Sequence, residues 1–168
     1  WSVRKDEIAA FARNILEQAT LDRRDPRARY DPLDEQRVTA LCNHLRDNFS
    51  YTLTNPPPKT DPIGEFLFQN RAGHCELFAS GLAAMCRSIG ISARVMTGYR
   101  LSEFSWIGKF YVVRQDDAHA WCEIELAHAG WRTFDATPPA AVAAEHRVDR
   151  SWWSSIHELH EYLDYLWM

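Results

Sequence analysis

Cys75-Glu76-Leu77-Phe78-Ala79-Ser80-Gly81-Leu82-Ala83-Ala84-Met85-Cys86-Arg87-Ser88-Ile89, closed by Gly90, is the stretch on which the fold turns. Leu77, Phe78, Leu82, Met85, Cys86 and Ile89 form a continuous apolar stripe at helical spacing. Ala79, Ser80, Gly81, Ala83 and Ala84 are small enough for neighbours to pack closely on several sides, and Gly90 supplies the stop. Little of such a helix is built for water, so it is expected at the centre of the molecule.

Upstream, Ile8, Phe11, Ile15 and Leu16 recur at helical spacing between Val3 and about Ala19. Asp22–Pro32 is charged and contains proline, and reads as a loop. A second helix is expected from Asp34 to about Phe49, with Val38, Leu41, Cys42 and Leu45 on one stripe. Tyr51–Leu53 reads as extended, Pro56–Pro58 forbid regular structure, and Asp61-Pro62 opens a short helix through Ile63–Phe68. After Gly90 the period changes. Ile91–Tyr99, Phe110–Arg114, Ala118–Leu126 and Trp131–Asp135 read as strands, with a turn at Ala129-Gly130 and a closing Pro138-Pro139. Helices followed by a meander of strands define an α+β fold. One domain is expected over residues 1–168, its core about 34–139, with residues 140–168 as a C-terminal extension in which Ser151–Met168 reads as an aromatic amphipathic helix.

With 168 residues, 46% hydrophobic and 25% charged, the chain has the make-up of a globular protein long enough to bury a core. A net charge of −4 gives no broad attraction to phosphate backbones, and no nucleic-acid partner is expected. No apolar run is long enough to span a membrane and no signal peptide is visible. The start at Trp1 reads as an excised domain or a processed product. None of the four cysteines forms a CxxC pair, which argues against structural zinc. Cys42, Cys86 and Cys122 lie among apolar residues and are expected to be small buried hydrophobes.

Cys75 differs. Gly73 lies just ahead of it, and it opens the central helix. There the unsatisfied N–H groups and the helix dipole stabilise negative charge. A thiol with an ordinary pKa near 8.5 is drawn toward thiolate, and the same N–H groups can receive an oxyanion. Asp117-Ala118-His119-Ala120-Trp121 puts a histidine between two alanines at a strand start, and Phe134-Asp135-Ala136 puts an aspartate at the end of the next strand. Antiparallel pairing would bring His119 and Asp135 side by side, so that a carboxylate holds one imidazole nitrogen while the other faces the thiol.

The segments GHCELFASGLAAMCRSIGISARVMTGY, DAHAWCEIEL and GWRTFDATP resemble the three signature blocks of transglutaminase-like domains. They are most similar to a bacterial branch found as extracytoplasmic domains of multi-pass membrane proteins and often described as cysteine proteases. Phe66-Leu67-Phe68, Tyr51 and Pro56–Pro58 also resemble that branch, and the likeness runs from about Tyr51 to Pro139. It implies a papain-like core, with the nucleophile helix packed on an antiparallel sheet behind N-terminal helices. It implies Cys75 as nucleophile, His119 as general base and acid, and Asp135 as orienting carboxylate. The implied activity is acyl transfer on protein or peptide amides, to water or to an amine acceptor, without a cofactor. A catalytically silent domain that binds peptide or cell-wall material is the alternative. The resemblance implies an extracytoplasmic or periplasmic domain of a membrane-embedded parent, while the residues alone leave a cytoplasmic location open.

Tyr51 and Gln69 are both candidates for a further oxyanion donor, each with a structural role as the competing reading. Trp121 should share a strand face with His119, as a groove wall or as core packing. His157, His160 and Glu161 have ligand-like helical spacing without a third cluster, and Asp116-Asp117 read as a turn. No metal is expected.

Overall fold

The computed structural model describes residues 4–25, 27–54, 60–101, 103–106 and 108–140. The described chain runs α1 (Lys5–Gln18), α2 (Asp34–Asn48), β1 (Ser50–Tyr51), α3 (Pro62–Glu65), a π-helix (Phe66–Asn70), β2 (Ala72–Gly73), α4 (Cys75–Ser88), β3 (Ala93–Tyr99), β4 (Glu103–Ser105), β5 (Phe110–Val112), a 3₁₀ turn (Gln115–Asp117), β6 (Ala118–Leu126) and β7 (Gly130–Phe134). The fold is α+β. The C-terminal extension expected to be helical lies outside the described residues beyond Ala140.

Two compact units divide the described chain: residues 4–97 with Ala120–Pro139, and Gly98–His119. In the first unit α4 packs against α1 and α2, as its apolar circumference dictates. Phe78, Leu82, Met85 and Cys86 are buried there with Ile8, Leu16, Val38, Leu41 and Leu45. At roughly 1.5–3 kcal/mol for each fully buried aliphatic or aromatic side chain, this cluster is the main stabilising term. The helix ends where the sequence places its stop. Gly90 takes φ 86°, and Ile91 and Gly90 donate to the carbonyls of Cys86 (2.9 Å) and Arg87 (3.2 Å), a left-handed cap that a β-carbon would strain.

One sheet has the strand order β3-β6-β7. β6 and β7 are antiparallel, with Cys122 opposite Phe134 and Leu126 opposite Gly130. Alternation along β6 sends Ala120, Cys122, Ile124 and Leu126 into the core. β1 and β2 form a short parallel pair, Ser50 with Ala72 and Tyr51 with Gly73, where only an extended Tyr51 was expected.

Asp22–Pro32 is more ordered than a solvated loop. Arg37, on α2, is fully buried; its guanidinium pairs with Asp31 (2.9 Å) and Asp34 (3.1 Å) and donates to the carbonyls of Leu21 (2.8 Å) and Arg23 (2.6 Å). Arg24 adds an ion pair to Asp34 (2.8 Å) and a bond to the Ile89 carbonyl just past α4 (3.4 Å). Every buried charge in this cluster faces an opposite charge or a carbonyl, which is the condition for tolerating its desolvation.

In the second unit β4 and β5 make a hairpin, Glu103 opposite Val112 and Ser105 opposite Phe110, in the stretch expected to be loop around Leu101–Lys109. Phe104 meets Trp106 (5.1 Å) and Tyr111 (5.0 Å) edge-on. The 3₁₀ turn over Gln115–Asp117 holds the acidic pair read as a turn, and Asp117 accepts the Arg114 N–H (2.7 Å).

Candidate active site

Three short devices bring the chain to Cys75. The π-helix ends at Arg71 with a left-handed φ of 48°, and β2 then pairs with β1. A β-carbon on Gly73 would stand 2.7 Å from Leu77 Cδ1 and 3.2 Å from Phe66 Cδ2, so the path into α4 runs too close for any larger residue. His74 is the extended N-cap, its carbonyl accepting the N–H groups of Leu77 (3.0 Å) and Phe78 (3.3 Å). Cys75 is therefore the first helical residue, half-buried, among the N–H groups that begin a helix with no carbonyl a turn behind them.

The other three cysteines are buried. Burial pushes the Cys42 thiol up to about 11 and the Cys122 thiol up to about 12, and the Cys86 thiol well above its ordinary value. They remain S–H groups, with Cys42 donating to the Asp135 carbonyl (3.2 Å) and Cys122 to the Ala79 carbonyl (3.3 Å). A thiolate is the attacking species in thiol catalysis, and of the four sulfurs only that of Cys75 lies outside an environment that opposes it.

His119 is the second residue of β6 and is buried; Trp121, two residues on, is half-buried. Alternation puts both on the strand positions opposite to Cys122 and Ile124. His119 closes the second unit and Ala120 resumes the first. Asp135 comes one residue after the Cys122–Phe134 pair, half-buried, just beyond the strand that was expected to include it. Its Oδ1 accepts the Thr137 N–H (2.9 Å), and its carbonyl accepts both the Cys42 thiol and the Arg46 guanidinium from α2. Sequence reasoning passed over Arg46; its spacing of one helical turn from Cys42 is the only signal it leaves.

Within the first unit, α4 and β6 run in the same direction. Cys122 meets the Ala79 carbonyl, and Glu125 donates to Ser92 (3.0 Å), beyond the other end of the helix. The end of α4 that carries Cys75 thus lies toward the Ala120 end of β6. Tyr51 pairs with Gly73, two residues from Cys75, and its ring stacks on Phe78 (6.3 Å between centroids). Gln69 is exposed on the π-helix.

A thiol at the N-terminus of a central helix that packs against an antiparallel sheet is the papain-like α+β architecture. The transglutaminase-like superfamily core matches residues 23–136, and the chain belongs to that superfamily. A protein-glutamine gamma-glutamyltransferase of Pseudomonas aeruginosa is 36% identical over 127 residues, which cover 75% of this chain and 19% of that protein. The crystal structure of the periplasmic domain of TgpA from Pseudomonas aeruginosa is 30% identical with a TM-score of 0.67, covering 84% of this chain and 45% of that one. A Cytophaga hutchinsonii protein provisionally described as a cysteine protease shares the fold at 22% identity and a TM-score of 0.51, covering 82% of this chain and 40% of that one. The chain thus spans less than half the length of each of these relatives.

Proposed function

We propose that the chain transfers acyl groups from peptidyl carboxamides through a triad of Cys75, His119 and Asp135, with an amine as the preferred acceptor. The observation that carries this is the contrast among the four thiols: three sealed in the core and one presented at a helix N-terminus. Two further placements support it. His119 precedes Ala120, at the end of β6 toward which the Cys75 end of α4 lies, and the pleat gives His119 and Asp135 the same parity on neighbouring strands. The glutamine carboxamide as donor follows the 36%-identical glutamyltransferase.

In this mechanism Asp135 holds one imidazole nitrogen of His119, and the other takes the Cys75 proton. The thiolate attacks the carboxamide carbon, the C–N bond breaks, and the departing ammonia takes its proton from His119. The thioester is then opened by an amine, whose proton returns through His119 and regenerates the thiol. Water in place of the amine would give hydrolysis. The Cys75 backbone N–H supplies one oxyanion donor. Tyr51, in register with Gly73, is the better placed of the two further candidates, and Trp121 would flank the acyl chain from the same strand face as His119. By its likeness to the TgpA periplasmic domain, the chain is proposed to be an extracytoplasmic domain of a membrane protein. Among the described residues no helix is long and apolar enough to cross a membrane.

The test is incubation with a glutamine-containing peptide and dansylcadaverine, read by mass. Incorporation of the amine with loss of ammonia, absent in Cys75→Ala, is the expected result. Release of a one-dalton-heavier acid would move the assignment to hydrolysis. Neither product, with peptide binding retained, would leave the catalytically silent domain.

A further inference from the structure

Asp135 is the first residue beyond the paired part of β7, and its main chain is held from α2. Cys42 and Arg46, one turn apart on the same helix face, both donate to the Asp135 carbonyl and so occupy both lone pairs of that oxygen. Burial keeps Cys42 in its S–H form, so it is a donor across the physiological range. The next two residues are sealed: Ala136 and Thr137 are 1% and 2% exposed, and the Thr137 N–H fixes Oδ1 of the same aspartate. Arg46 is not a surface charge that happens to reach a carbonyl. Its Nε is buried without a hydrogen-bond partner among the described residues, so the guanidinium is desolvated to make this contact.

We infer that Arg46 is a positioning residue for the reaction: with Cys42, it fixes the peptide plane from which the Asp135 carboxylate projects and so sets the angle at which that carboxylate orients His119. The inference rests on Asp135 being the triad carboxylate. A pivot of the Asp135 peptide by a few tens of degrees would displace the carboxylate by about 1 Å, and errors of that size cost up to about a hundredfold in rate. Arg46 touches neither substrate nor reacting atoms in this scheme; its effect passes wholly through Asp135.

That restriction gives the test. Amine incorporation is measured for Arg46→Met, Arg46→Lys, Asp135→Asn and the double variant Arg46→Met/Asp135→Asn, with thermal unfolding of each. Arg46→Met is expected to lower kcat roughly tenfold to a hundredfold at unchanged KM, and Arg46→Lys to recover part of the loss. The double variant is expected to be no slower than Asp135→Asn alone, because a lever without its load does nothing. Full kcat in folded Arg46→Met, or losses that multiply in the double variant, would overturn the inference while leaving the triad in place. An unimpaired Asp135→Asn would instead sink the triad reading itself. Should Arg46→Met fail to fold, Cys42→Ala removes the second donor to the same carbonyl and is expected to lower kcat in the same direction; an unchanged kcat there would count against the clamp.

Discussion

Cys75 and Cys86 occupy the same helix about three turns apart and live in opposite chemistry. At the first, the chain arrives through a left-handed residue and a glycine too crowded for a side chain, and leaves a half-buried sulfur among unsatisfied N–H groups. At the second, the sulfur is fully enclosed, burial drives its thiol pKa well up, and the helix end is tied down. Arg87 donates to the Ala93 carbonyl (2.8 Å), Gly90 closes the cap, and Arg24 reaches the Ile89 carbonyl. Cations against a helix C-terminus complement its dipole, while the bare N-terminus is left for an anion. One helix is thus both anchor and attacking group, and the same residue type reads as packing or as chemistry according to which end it sits on.

The sharpest way to break the comparison is to exchange sulfur for methyl at the open end. Cys75→Ala is expected to lower amine incorporation at least about a thousandfold, while its unfolding free energy stays within about 0.5 kcal/mol of the parent. Residual turnover above a hundredth would move the nucleophile elsewhere. Next comes reactivity: iodoacetamide at neutral pH should label Cys75 at least about a hundredfold faster than the other three cysteines, as counted by peptide mapping. Equal rates in the folded protein would erase the distinction between the two ends.

The approach to Cys75 can be tested by Gly73→Ala. The added methyl meets Leu77 and Phe66, for an expected cost of about 1–3 kcal/mol by chemical denaturation. The rate should fall beyond what the folded fraction explains, since the displaced backbone carries the nucleophile. At the closed end, Cys86→Ser buries a hydroxyl in an apolar site and should cost about 1–3 kcal/mol, with kcat of the folded enzyme unchanged.

The smallest effect is electrostatic and concerns the cluster that anchors the closed end. Its hydrogen bond with Arg37, then that from the Leu33 N–H, holds the Asp31 carboxyl below its ordinary value near 3.8. A carboxyl with a lowered folded-state pKa favours the folded form once ionised. The contribution is therefore present above about pH 4 and fades as pH falls through the lowered value. Asp31 is partly exposed, so Asp31→Asn should cost less than about 1 kcal/mol at pH 7. The difference between the two proteins should shrink in denaturant titrations near pH 3; a constant difference would assign the loss to packing.

How much of this was legible beforehand follows the same division. α4 announced itself because one residue type after another agreed on a buried helix, and β6 and β7 because strict alternation of Ala120, Cys122 and Ile124 with larger or charged neighbours has one reading. Cys75, His119 and Asp135 stood out by segment, although placing them in one site still goes beyond what geometry within either unit provides. What stayed hidden leaves no periodic trace. β4 and β5 are three residues each, too short for alternation to register. The buried Arg37 looked like one more charge in a charged stretch, because the carbonyls that receive it come from loop residues whose path no local pattern predicts. The donor from Arg46 was hidden for the same reason.

The widened turn over Phe66–Asn70 has a consequence for how this chain tolerates change in length. A π-turn carries one residue more than an α-turn, so removing any one of its five residues would let it relax into ordinary helix and rotate everything downstream by about 100°. The sulfur's direction is therefore encoded as a phase, set by a residue count ahead of it. Point substitutions in that segment keep the phase; a one-residue deletion, however bland the residue lost, does not.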